Sequence, residues 1–297
     1  MKHETRNTKH ETRNNTMTQQ QPWLLTEDKF DPKNQADFSV NNGYITQSGC
    51  LEGFSANQPS KQTFMDGIRN ADSSQTNLPD WTSVVLRLNS EIVDLTTCEI
   101  QNYQRVLNKK INVLSRNFQV KTLSGHTIQV ESECFLSKAN PHLGCIRFKV
   151  KSVDFQGNIN FLAVIDGQPL DQSASQWNVL QSRTLADVAH LWIQTRKTNF
   201  QVCEAVSFDF FKNNTLKKLN PTKIEKANVA GYAFGVDLVA GESVIVHKYV
   251  GFADSIRTNY KELTTQATQI SLEAKAKGWE QLYEENSLAM HAAENEK

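Results

Sequence analysis

Read as a strand, FQVCEAVSFDFF (Phe200–Phe211) puts Glu204 on one face with Val202, Val206 and Phe208. Carboxylates are uncommon on an apolar face. Opposite an imidazole, such a group could serve as one half of an acid–base pair, and His142, His190 and His247 are the candidate partners. They share no spacing with Glu204, so a bulge, an edge strand or a buried salt bridge is the alternative reading of this inward carboxylate. A second segment, NNGYITQSGCLEG (Asn41–Gly53), gathers an amide, a phenol and a carboxylate in Asn42, Tyr44 and Glu52, groups that suit hydroxyl-rich ligands. Asn42 or Gly43 can supply a positive-φ turn, and Gly49 and Gly53 permit a second reversal, so the same residues also read as turn formers. Trp81, Trp177 and Trp192 lie in or beside strands, where each offers either a stacking face or core volume. The cysteines, Cys50, Cys98, Cys134, Cys145 and Cys203, are odd in number and widely separated, which reads as free thiols. No metal site and no cofactor are expected.

The elements that must position these groups are strands. TSVVLRLN alternates Val84, Leu86 and Leu88 against Val85, Arg87 and Asn89, and CIRFKVKS sets Ile146, Phe148 and Val150 against Arg147, Lys149 and Lys151. RNFQVKT, HTIQVES, INFLAVI, DVAHLWIQT and SVIVHKYVGF continue the pattern, separated by turns such as LSGH, NPHLG and VAGES. Between about residues 80 and 255 there is almost no helical periodicity, which predicts a mainly β, antiparallel sandwich of two large stacked sheets. From Lys261 the composition turns to Ala, Glu, Lys, Gln and Leu without proline, which predicts a helix. Its Trp279 and Tyr283 need something to pack against: a neighbouring domain, if the helix is a linker, or the sandwich itself.

At the other end, KHETRN occurs twice within residues 2–14 and no large apolar side chain lies between Met1 and Met17. Such a stretch has nothing to bury and reads as a disordered extension over 1–16, with Met17 a plausible native start. The expected organisation is therefore 1–16 extension, 17–260 sandwich and 261–297 helical linker. The 32 basic and 32 acidic residues cancel, so no net field draws the chain to nucleic acid or anionic lipid. No apolar run spans a membrane and no secretory signal is evident, so a cytoplasmic location is expected.

Seven stretches, in order, resemble the N-terminal domain of glycoside hydrolase family 65. They are PWLLTEDKFDP, FSVNNGYITQSGCLEG, LPDWTSVVLRLNSEIVDL, YQRVLNKKINVLSR, VESECFLSKANPHLGCIRFKV, HKYVGFADS and AKAKGWEQLYEENSLAM, covering residues 22 to 290. Thr46, Gln47 and Ser48 stand where the family usually has glycine and arginine, Asn108 replaces an aspartate, and Asn286 and Met290 replace a common histidine and tryptophan. The resemblance implies a β-supersandwich, similar to the galactose mutarotase fold, ahead of an (α/α)6 catalytic barrel that lies beyond Lys297. It implies an inverting α-glucobiose phosphorylase or related hydrolase as the parent, with inorganic phosphate as co-substrate and an α-glucoside disaccharide as substrate. In such an enzyme a carboxylic acid protonates the glycosidic oxygen while phosphate attacks the opposite face. The chain alone is then expected to be inactive, with no catalytic residue of its own and its missing barrel as partner, and a homodimer is a further expectation. Asn42, Gly43, Tyr44 and Glu52 become candidates for the rim of the sugar pocket, or simply the residues that fix the turn. The alternative class is a stand-alone carbohydrate-binding module or aldose mutarotase-like protein using Glu204.

Overall fold

The alternation in CIRFKVKS is realised as a ten-residue strand whose Ile146, Phe148 and Val150 are buried to within 1% of full enclosure, while Arg147, Lys149 and Lys151 occupy the other face. The computed structural model describes residues 21–31, 36–49, 62–70, 75–168 and 176–295. In chain order the first strands are β1 (Leu24–Glu27), β2 (Val40–Asn41), β3 (Ile45–Ser48), β4 (Gln62–Met65), β5 (Val84–Leu88) and β6 (Glu91–Ile92). There follow β7 (Glu99–Asn108), β8 (Val113–Lys121), β9 (Thr127–Leu136), β10 (Leu143–Ser152), β11 (Gly157–Asp166) and β12 (Trp177–Thr184). The last are β13 (Ala189–Thr195), β14 (Gln201–Lys212), β15 (Thr215–Leu216), β16 (Thr222–Lys226), β17 (Val229–Leu238) and β18 (Ser243–Asp254), before the helices α1 (Leu263–Lys277) and α2 (Trp279–Asn295).

Every strand pairing is antiparallel. The large sheet runs β1-β7-β8-β9-β10-β18-β14-β13-β12 with β15 beside β14, a second sheet runs β16-β17-β11-β5-β6, and a small one runs β2-β3-β4. The mainly β sandwich expected from the alternation is what forms. Its core lies between the inner faces, where Phe148, Phe161 and Phe210 meet edge to face. Two polar features are buried in this core. Lys248, fully buried on β18, reaches from the large sheet to the second one and donates to the carbonyls of Ser83 (3.0 Å) and Val164 (2.7 Å). Arg105 and Arg116, opposite one another on β7 and β8, are also buried; Arg105 pairs with Glu27 at 2.7 Å and lies 3.8 Å over the Phe38 ring.

The helical tail is two helices rather than one. Gly278 adopts φ +80° between α1 and α2, a conformation natural to glycine, and its N–H closes α1 on the carbonyl of Ala274. Both helices fold back on the outer face of the large sheet, so the sandwich itself covers Trp279 and Tyr283. Leu263 and Ala267 pack on Cys203, Ala205 and Ala253, and Trp279 and Leu282 pack on Phe135, Cys145 and Tyr249. Close approach is possible because Gly251 lacks a side chain: a Cβ there would stand 2.2 Å from the Ala267 carbonyl oxygen. Ser271 then reaches the sheet, its Oγ 2.8 Å from Ser207 Oγ and 2.9 Å from the Tyr249 carbonyl.

Cys98, Cys134, Cys145 and Cys203 form no disulfide among the described residues. No helix is long and apolar enough to cross a membrane, and no metal-binding cluster occurs among the described residues. Cys50, Glu52 and the 1–16 extension lie outside the described residues.

Candidate functional site

The NNGY turn is built by its own amides. Asn42 Oδ1 accepts the N–H groups of Tyr44 (3.0 Å) and Ile45 (2.8 Å), and Gly43 takes the turn at φ +93°. The other end of the Asn42 side chain donates to the carbonyls of Ser137 (3.0 Å) and Pro141 (2.9 Å) in the loop that precedes β10. All four hydrogen-bonding positions of that amide are thereby occupied, and the residue is buried. Asn112 adds a reciprocal pair with the backbone of Asn41.

Tyr44 points across the sheet end to β18. Its hydroxyl donates to Asp254 Oδ2 at 2.5 Å, its ring packs 4.3 Å from that of His142, and the Arg257 guanidinium lies 4.6 Å over it. Asp254 is fully buried; its other oxygen accepts the N–H groups of Ile256 and Arg257, while Arg257 also bridges to Asp66 at 2.8 Å. Burial, followed by the hydrogen bond and charge of Asp254, drives the Tyr44 phenol far above its ordinary value. It is a fixed donor, not an acid for catalysis. What this corner presents outward is Gly43, Lys138, His142 and Arg257.

The same loop holds the helical tail. Asn286, buried on α2, accepts the Lys138 N–H at 2.9 Å and donates to the Ile111 carbonyl at 2.8 Å, while Lys138 Nζ reaches the Asn42 carbonyl at 3.4 Å. The turn, the 137–143 loop and α2 therefore form one bonded corner. In the sequence Asn286 stands out only as a departure from a family pattern, and Asp254 and Lys248 fall within HKYVGFADS with no local signal of the partners they meet.

Glu204 does face inward, fully buried opposite Leu191 and Phe252, and neither carboxylate oxygen has a hydrogen-bond partner among the described residues. Burial, with the nearby Asp80 charge, pushes its carboxyl well above the usual range, and Lys248 only partly opposes this. The strand register separates it from the histidines. His190 pairs with Ala205, and His247 with Asp209 and Arg147, so both project from the opposite face of the sheet. His247 is enclosed by Phe211 and Trp279, and burial followed by the Arg147 charge lowers its pKa to about 4. His190 binds Gln181 Oε1 at 2.8 Å, and burial again lowers it. His142 sits in the loop at the Tyr44 corner, its Nδ1 3.1 Å from the Phe252 carbonyl. The four groups do not face a common space. Of the tryptophans, Trp81 and Trp177 are core residues, and Trp192 packs under α1.

Compared with known proteins, the chain matches the model for "Glycosyl hydrolase family 65, N-terminal domain" over residues 25–293. It is 23% identical over 252 residues to an uncharacterised glycosyl hydrolase of Mycobacterium tuberculosis, covering 76% of this chain and 19% of that protein. It is 26% identical over 223 residues to a kojibiose phosphorylase of Caldanaerobacter subterraneus subsp. tengcongensis, covering 70% of this chain and 28% of the relative. A solved structure of a proposed kojibiose phosphorylase from human microbiome superposes with a TM-score of 0.76 at 17% identity, over 91% of this chain and 38% of that one. The chain thus spans well under half the length of each of these proteins.

Proposed function

This chain belongs to the family of glycosyl hydrolase family 65 N-terminal domains, and from that premise we propose that it is the non-catalytic scaffold of a disaccharide phosphorylase. In this reading the acid that protonates the glycosidic oxygen and the pocket that holds inorganic phosphate belong to another domain of the whole protein. The sandwich supplies a rigid platform, an assembly surface, and a rim of the sugar site near Gly43. The observation that carries it is the bonded corner at Asn286: α2, folded back on the sandwich, is locked to the same loop that holds the NNGY turn. A following domain would therefore inherit a fixed position relative to that turn, which is what a scaffold must provide. The length of the relatives supports the same reading.

The experiment is an assay of the chain by itself with kojibiose, maltose, nigerose or trehalose and inorganic phosphate. No release of glucose 1-phosphate is expected; sustained turnover of any of the four would remove the scaffold reading. Light scattering checks the assembly surface separately, since a strict monomer at high protein concentration contradicts it. A cytoplasmic location belongs to the same proposal and is supported by cysteines that form no disulfide among the described residues.

A further inference from the structure

Far from the Asn42 corner, the large sheet has a gap. Strand β13 pairs with β14 only as far as Ala189–Val206, and β15 takes up pairing again at Phe211. Between them Ser207–Asp209 have no strand partner on that side among the described residues. Lys217 N–H donates to the Phe210 carbonyl at 2.8 Å, which fixes the direction in which Phe210 points its polar backbone groups. Strand alternation turns the N–H and C=O of Phe208 the same way, into the gap.

A cleft of about 320 Å³ occupies this gap. That volume is near the lower end of ordinary small-molecule sites, on the order of 300–1,000 Å³. Its inner wall is aromatic: Phe208 and Tyr232 meet edge to face at 5.6 Å, and Phe210 stacks on Phe234 at 5.9 Å. Its rim is cationic, because Lys217, Lys218 and Lys275 face only Asp187 and Asp209. Asp209 is already engaged by the Tyr249 hydroxyl at 3.2 Å. Lys217 and Lys218 are exposed, and their side chains have no hydrogen bond or ion pair among the described residues.

We propose that this cleft binds a small amphipathic anion, a flat apolar body carrying one carboxylate. The body lies against the aromatic wall, and the carboxylate sits at the Lys217–Lys218 rim within reach of the free backbone of β14. A neutral sugar fits less well, since its hydroxyls call for converging amides and hydroxyls, and the Tyr232 hydroxyl is committed to the Leu185 carbonyl at 3.1 Å. The site is independent of the scaffold reading and stands or falls separately from it.

The test is calorimetric titration of the whole chain with 3-phenylpropionate, with 3-phenyl-1-propanol as the uncharged probe and propionate as the ringless one. The acid is expected to bind with a dissociation constant on the order of 0.1–4 mM. The alcohol should bind about 3- to 10-fold more weakly, as loss of exposed ion pairs predicts, and propionate should not saturate. Lys217→Gln with Lys218→Gln should erase the preference for acid over alcohol while leaving alcohol binding intact. Ala186→Trp, on the exposed loop at the cleft wall, should abolish binding of both without disturbing the core. Absence of saturable binding of the acid in that range, equal affinity for acid and alcohol in the unaltered chain, or binding that survives Ala186→Trp would each overturn the proposal.

Discussion

Replacing Glu204 by glutamine isolates the energetic consequence of a carboxylate enclosed without a hydrogen-bond partner among the described residues. Glutamine keeps the shape of the protonated side chain and cannot ionise. The folded-state pKa is raised by burial and by Asp80, so the native state holds its proton where the unfolded chain, titrating near about 4.3, has released it. Stability linked to this group is therefore complete below the unfolded pKa and is lost as pH rises toward the folded one. Across that window the loss is about 1.4 kcal/mol per pH unit for one proton. Glu204→Gln escapes this loss, so the variant should match the parent at about pH 4 and become progressively more stable than it above. A domain of this size has a melting entropy on the order of 0.6 kcal/mol/K, which converts the slope into about 2–3 °C of melting temperature per pH unit. Scanning calorimetry of both proteins from about pH 4 to about pH 8 reads the difference directly, and other titrating groups, including His247, cancel in it. A constant gap across that range would show that Glu204 carries the same charge in both states, and that its burial does not hold a proton on the carboxyl.

Two further outcomes follow from the outer face of the large sheet. Gly251→Ala would force a methyl group to within 2.2 Å of the Ala267 carbonyl, so α1 must shift; a loss of about 1–3 kcal/mol in urea unfolding and earlier proteolysis within 263–295 are expected. His247 shows the opposite linkage to Glu204: its pKa is lowered to about 4, so its contribution is present above the unfolded value near about 6.5 and lost as pH falls toward 4. His247→Phe should flatten the acid limb of the stability curve between those values by at most about 3 kcal/mol, as followed by denaturant midpoints at stepped pH.

Much of the architecture was readable in the chain. Alternation such as Ile146, Phe148 and Val150 against Arg147, Lys149 and Lys151 marked the strands, because a side-chain period of two on a half-buried sheet leaves a direct imprint on composition. The turn at Asn42–Gly43 was legible for a similar local reason: an amide followed by glycine closes a reversal with short-range bonds. The bonding of Asn286 to Lys138 and Ile111 was not, since its partners are 148 and 175 residues away. Nor was the break at Gly278, where one glycine in an otherwise helix-forming stretch is tolerated or decisive according to what the helix must pack on.

Sequence by itself determined that this protein is an antiparallel β sandwich with a helical tail, and that Glu204 belongs on an apolar face, because both follow from periodicity along a single strand or helix. Only the tertiary structure decided that His190 and His247 lie behind the sheet from Glu204, that the tail folds back over Phe135 and Tyr249, and that β14, paired with β18 at Phe208, has no strand partner there on its other side among the described residues. Each of those depends on the register between strands distant in sequence. A shift of one residue in that register exchanges the two faces of a strand, and no local pattern encodes it.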